Sequence, residues 1–135
     1  MPAQHVNKII DTLVYNETMI LYVSATQGEA AQVPSDYPLI VTGIGIMRAT
    51  LALTEYLARA NKLPERIINF GTAGSLSGNT GIFEIDHVFQ HDFDHKVIEQ
   101  IIGKPFPNGI DIPTVSTLST AHLATGDSFV NDPYH

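Results

Sequence analysis

An α/β fold, with a mainly parallel or mixed central sheet flanked by helices, is what this chain predicts, and three observations predict it. Short apolar runs at residues 19–24, 39–42 and 66–70 have the uninterrupted character of strands buried on both faces of a parallel sheet. A segment of helical period separates the second run from the third. Small-residue loops follow the runs, which is where open α/β sheets bind ligands. With 135 residues, 44% hydrophobic and 16% charged, the chain can bury one core, so a single domain over 1–135 is expected.

The elements follow in order. Val6, Ile9, Ile10 and Leu13 recur at helical spacing, predicting a short helix over residues 3–14 inside an N-terminal extension, 1–16, that precedes the main domain, 19–135. Residues 19–24 are the first strand and 39–42 the second. Between residues 46 and 60, Met47, Leu51, Leu53, Leu57 and Ala58 mix with Arg48, Glu55 and Arg59, predicting a helix packed on one side, with Pro64 beyond its end. Residues 66–70 form the third strand, 82–90 a fourth and 95–102 a short helix. Residues 103–113, with three prolines and two glycines, read as a loop, and 114–119 and 123–125 as extended pieces.

Composition removes several classes of function. Seven Lys and Arg against fourteen Asp and Glu give a formal charge of −7, which leaves no basic surface to neutralise a run of phosphates, so nucleic acid is not an expected partner. The absence of cysteine excludes a disulfide framework, a thiolate metal site and a cysteine nucleophile. No segment approaches the roughly 20 apolar residues that span a bilayer. The start of the chain lacks the basic and apolar regions of a secretory signal, so a cytoplasmic location and no membrane partner are expected.

Three stretches after predicted strands are candidates for chemistry: Ala25-Thr-Gln-Gly-Glu29, Thr42-Gly-Ile-Gly45 and Gly71-Thr-Ala-Gly74. Each alone is also what an ordinary turn looks like. Gly43 and Gly45 do not complete a dinucleotide fingerprint, because Arg48 stands where the third glycine belongs, and no phosphate loop ending in Gly-Lys-Ser/Thr is formed. Glu29 by itself is equally a solvated loop carboxylate or a first-turn helix residue favoured by the dipole.

Taken together and in order, those stretches, extended to Ile68-Asn-Phe-Gly-Thr-Ala-Gly74 and joined by His91-Asp-Phe-Asp94 and Ala124-Thr-Gly-Asp-Ser-Phe-Val-Asn131, resemble the nucleoside phosphorylase/nucleosidase superfamily. The most similar branch is that of the methylthioadenosine/adenosylhomocysteine nucleosidases. The resemblance runs from about Met19 to the end of the chain and implies a nucleoside phosphorylase-like fold with an incomplete C-terminal part. It implies a purine nucleosidase that hydrolyses an N-glycosidic bond, with a small-molecule nucleoside and water as its partners, no cofactor, no metal and a homodimeric state.

The resemblance also implies roles. Glu29 takes the position of the glutamate that holds and helps deprotonate the attacking water, and Thr72 that of a serine which contacts the same water. Ile44, Gly45, Ala73, Gly74, Phe129 and Val130 take substrate-binding positions, Phe129 packing its ring on the base and Gly74 admitting close approach of the purine. The chemistry is consistent with those residue types. Cleavage builds positive charge on the ribosyl ring and negative charge on the leaving base, so a carboxylate beside a directed water serves one face. Water is favoured over phosphate because Asn69 occupies the place of a phosphorylase arginine and Glu29 would repel a dianion.

Two departures qualify the likeness. Enzymes of this kind continue well beyond the length of this chain, and the Met-Glu pair, arginine and Ser-Asp they carry there have no counterpart in a matching place; Ser35-Asp36 falls too early. The 135-residue chain by itself is therefore expected to be weak or inactive as a catalyst. The stretch between Asp94 and His122 is short for the methylthioadenosine enzymes, so the 5′ group of the nucleoside stays unspecified. Other readings are a phosphorylase, a purine-binding module without turnover, and a metal protein built on His87, His91 and His95, spaced four apart among Asp86, Asp92 and Asp94. Strand alternation would separate His91, Phe93 and His95 from Asp92 and Asp94, which argues against the metal.

Overall fold

The computed structural model describes residues 19–131, so the helix expected within residues 1–16 lies outside the described part. The α/β class holds. The described residues form two three-stranded sheets, however, where one central sheet was expected. They also divide into two compact units, one ending at Gly74 and the other beginning at Ser75.

The first unit contains β1 (Ile20–Ser24), α1 (Gln27–Ala30), β2 (Leu39–Val41), α2 (Ile46–Arg59) and β3 (Arg66–Asn69). Its sheet has the order β2-β1-β3 and is parallel throughout, with Tyr22 opposite Leu39 and Ile68. All five residues of β1 are buried, as a central parallel strand requires. Ile20 and Tyr22 form the core with Val33, Tyr37, Leu39, Ile68 and Phe70 around them, and the Tyr37 ring meets that of Tyr22 edge-on at 5.5 Å. Burial pushes the Tyr22 hydroxyl pKa up, and the neighbouring Tyr37 adds to the effect.

Helix α2 starts at Gly45, whose φ of +104° is open to glycine at little cost. Its half-buried stripe runs through Ile46, Ala49, Leu53 and Leu57, at spacings of three and four. Met47, Leu51 and Ala58, expected on the packed side, are exposed. The apolar residues of this helix cover more than one face, so composition identified the helix but not its inward stripe.

The second unit contains β4 (Glu84–Gln90), α3 (His95–Ile102), β5 (Gly109–Asp111) and β6 (Thr120–Thr125), in a sheet of order β5-β4-β6. The pair β4 and β6 is parallel, whereas β4 and β5 are antiparallel. Asp94 caps α3, its side chain accepting from Val97 N–H at 3.1 Å, and Gly103 ends the helix in the left-handed conformation.

Three expectations for this unit are corrected. Residues 103–113 are not all loop, because β5 lies inside them. Residues 114–119 are not a strand. The Glu84 carboxylate instead gathers them into a turn, accepting from Val115 N–H at 2.6 Å, from Ser116 N–H at 2.9 Å and from the Ser116 hydroxyl. The last strand begins at Thr120, three residues before the start expected at Leu123.

Candidate functional site

Strands β1 and β3 are parallel neighbours, so the segments that leave their C-terminal ends emerge side by side. Glu29 lies on the first of these segments and Thr72 on the second. The Glu29 Oε1 atom accepts from Thr72 N–H at 2.9 Å and from the Thr72 hydroxyl at 3.0 Å. Its Oε2 atom accepts from Ser24 Oγ at 3.3 Å, Thr26 N–H at 3.2 Å and Thr26 Oγ1 at 3.1 Å.

The local sequence explains half of this clamp. Thr26-x-x-Glu29 is a capping box: Thr26 Oγ1 accepts from Glu29 N–H at 3.3 Å, and the Glu29 side chain returns to Thr26 N–H. That pairing ends the extended chain at Thr26 and folds Gln27–Ala30 into a single turn of helix, α1. The other half needs Gly71, where a Cβ would stand 3.0 Å from Glu29 Oε1. A side chain there would crowd the carboxylate that Thr72 must reach.

Five donors converge on one half-buried carboxylate. Burial works to raise its pKa. The hydrogen bonds from Thr72, Thr26 and Ser24 outweigh it and hold Glu29 below the usual carboxylate range. Glu29 is thus ionised at neutral pH and saturated as an acceptor, since a carboxylate offers only about four lone-pair sites. Such a group can fix a neighbouring polar molecule or stabilise positive charge. It is a weaker proton acceptor than an unhindered glutamate.

The remaining candidates occupy varied settings. Ala73 and Gly74 lie on the exposed loop after β3, and a Cβ on Gly74 would meet no protein atom within 4 Å. Ile44 is exposed, directly before the cap of α2 at Gly45. Arg48 lies across Gly43, where a Cβ would be 3.1 Å from its Cδ.

In the second unit, Phe129 is 89% exposed and Val130 is exposed as well. They follow a turn held by Asp92, whose Oδ2 accepts from Asp127 N–H at 2.7 Å and Ser128 N–H at 2.9 Å. Gln90 Nε2 donates to Asp92 Oδ1 at 3.0 Å. These bonds, led by that from Ser128, lower the Asp92 pKa to about 2.

His87 lies beside His122, their ring centroids 5.2 Å apart. His87 Nδ1 pairs with Asp111 Oδ1 at 2.7 Å, and His122 Nε2 lies 3.5 Å from Asp86 Oδ1. These four residues, with Phe89 and Asn108, line an open concavity of about 520 Å³. Strand β4 stops at Gln90, so the alternation expected through residue 95 is replaced by a turn and the capped start of α3. Among the described residues, no group of three or more His, Asp or Glu is arranged to hold a metal ion.

Sequence reasoning missed Ser24 and Thr26 as partners of Glu29. The capping-box spacing was a readable signal for Thr26, but nothing local marks Ser24, which is a buried strand residue like its neighbours. No helix among the described residues is long and apolar enough to cross a membrane. No protein-family model matches the chain, and neither a curated protein nor a solved structure matches it. The fold and site define a class no finer than an α/β protein with a clamped, ionised carboxylate at the C-terminal edge of a parallel sheet.

Proposed function

We propose that this chain carries the water-holding part of a purine nucleosidase, which hydrolyses the N-glycosidic bond of a purine nucleoside to free base and sugar. The observation that supports the reading is the direct contact of Glu29 with Thr72, 43 positions apart in sequence. In this reading a water binds at the edge of Glu29 Oε1, and the Thr72 hydroxyl rotates to direct it toward the anomeric carbon. The low pKa suits Glu29 to orienting that water and to stabilising the developing ribosyl cation, with proton transfer completed as positive charge builds. A homodimer and a cytoplasmic location accompany the reading.

The test is purine release from adenosine, 5′-methylthioadenosine and S-adenosylhomocysteine, with and without phosphate. Slow release from this chain by itself, independent of phosphate and cut about 100-fold or more by Glu29→Gln, is the expected result. Release that requires phosphate would assign a phosphorylase instead.

A second reading is a purine-binding module without turnover, and one observation favours it: the protein's own donors already fill Glu29. Thermal stabilisation by adenine or adenosine, with no base released, would select this reading. Absence of both release and stabilisation removes the nucleoside proposal altogether.

A further inference from the structure

Strands β4 and β6 are parallel neighbours, so the turns that follow them lie at one edge of their sheet. Asp92 stands on the first turn and takes both amides of the second, Asp127 and Ser128, on a single oxygen, while Gln90 holds the other oxygen. Two consecutive N–H groups on one carboxylate oxygen fix the orientation of the peptide between them. Gly126 makes this approach possible: a Cβ there would stand 2.6 Å from His91 Nε2 and 2.7 Å from Asp92 Cγ and Oδ1. Directly after this tethered turn comes Phe129, the most exposed of the large apolar side chains described.

An apolar ring left in water on an anchored backbone is a prepaid surface for stacking, because little ordering entropy remains to be lost when a flat ligand arrives. We propose that Asp92 is a positioning residue, which by gripping the amides of Asp127 and Ser128 sets Phe129 as the stacking platform for a planar heterocyclic base. The inference rests on the nucleoside reading above and adds to it the residue that orders the base-contacting segment. Asp92 itself touches no base. Its contribution passes through the turn.

Adenine affinity is measured by titration calorimetry on the unsubstituted chain, Asp92→Ala, Phe129→Ala and the double variant. Each single substitution is expected to weaken binding ~10-fold, as loss of one stacking contact would. The double variant should bind no more weakly than Phe129→Ala alone, because Asp92 acts only through that ring. General destabilisation would produce additive losses.

Amide hydrogen exchange supplies a second readout, with Asp127 and Ser128 expected to exchange about tenfold faster in Asp92→Ala while β4 amides are unchanged. Asp92→Asn, which keeps size and one acceptor, replaces the alanine variant if that fails to fold, and should show the same pattern in smaller measure. Unchanged affinity in the Asp92 variants, or additive penalties, overturns the proposal and leaves the nucleoside reading standing. If the unsubstituted chain binds neither adenine nor adenosine, the nucleoside reading and the platform both fail. Unaltered exchange at Asp127 and Ser128 overturns the positioning role whatever binds.

Discussion

Glu29 and Asp92 solve a similar problem with different surroundings. Each is a carboxylate that collects donors from a segment remote in sequence, and in each the folded state favours the ionised form. A carboxyl whose pKa is lower in the folded than in the unfolded chain lends stability above its unfolded pKa, and that stability is lost as pH falls through the folded value. For Asp92 the loss spans the interval from the ordinary 3.8 down to about 2. Thermal melts from pH 6 to pH 2 should therefore show a steep acid limb, and Asp92→Asn should flatten it over that interval.

Glycine provides a complementary test at the same scale. Gly74 has open space where a Cβ would lie and its φ is not positive, so Gly74→Ala should change stability by less than about 0.5 kcal/mol. If a purine approaches that backbone as the resemblance implies, the same substitution weakens adenine binding, which calorimetry reads without interference from unfolding.

Among the elements, the capping box decides the shape of the first site. Thr26→Ala removes a donor to Glu29 and the acceptor for Glu29 N–H together, and should cost about 1 kcal/mol in urea unfolding. The sheet of the second unit depends on a different detail. A Cβ on Gly109 would lie 2.5 Å from the Val88 carbonyl oxygen, a backbone atom in the neighbouring strand. Gly109→Ala should thus cost about 1–3 kcal/mol and loosen the β4 to β5 pairing, seen as faster exchange of the amides in that ladder.

The same pairing shows why β5 was not legible beforehand. A three-residue strand among prolines has no periodicity to detect, and it exists because β4 offers it a partner edge. The register shift between Ile85 and His87 against β6 has no sequence marker either. It makes Asp86 the extra residue of a bulge, and Asp86 and His87 line the same concavity although they are consecutive in a strand.

At the scale of the whole molecule, Ile44, Met47 and Leu51 expose apolar surface at and after the start of α2. The homodimer expected from the resemblance would be seen by light scattering at micromolar concentration, and a monomer there would remove that expectation. Each unit carries one candidate group at the C-terminal ends of a parallel strand pair: Glu29 with Thr72 after β1 and β3, Asp92 with the turn before Phe129 after β4 and β6.

From sequence alone came the α/β class, the positions of β1, β2, α2, β3, β4 and α3 to within two residues, and the nomination of Glu29, Thr72 and Phe129. The class and the elements follow from properties carried by short windows, namely apolar runs, helical spacing, capping and turn residues, whereas the three residues were nominated by the resemblance of several short motifs taken in order. Tertiary structure alone decided which strands share a sheet, which face of α2 is turned inward, and that Glu29 meets Thr72 while Asp92 meets the turn at Gly126. Those outcomes depend on register and on the distance between segments far apart in the chain, quantities that no local pattern of residues encodes.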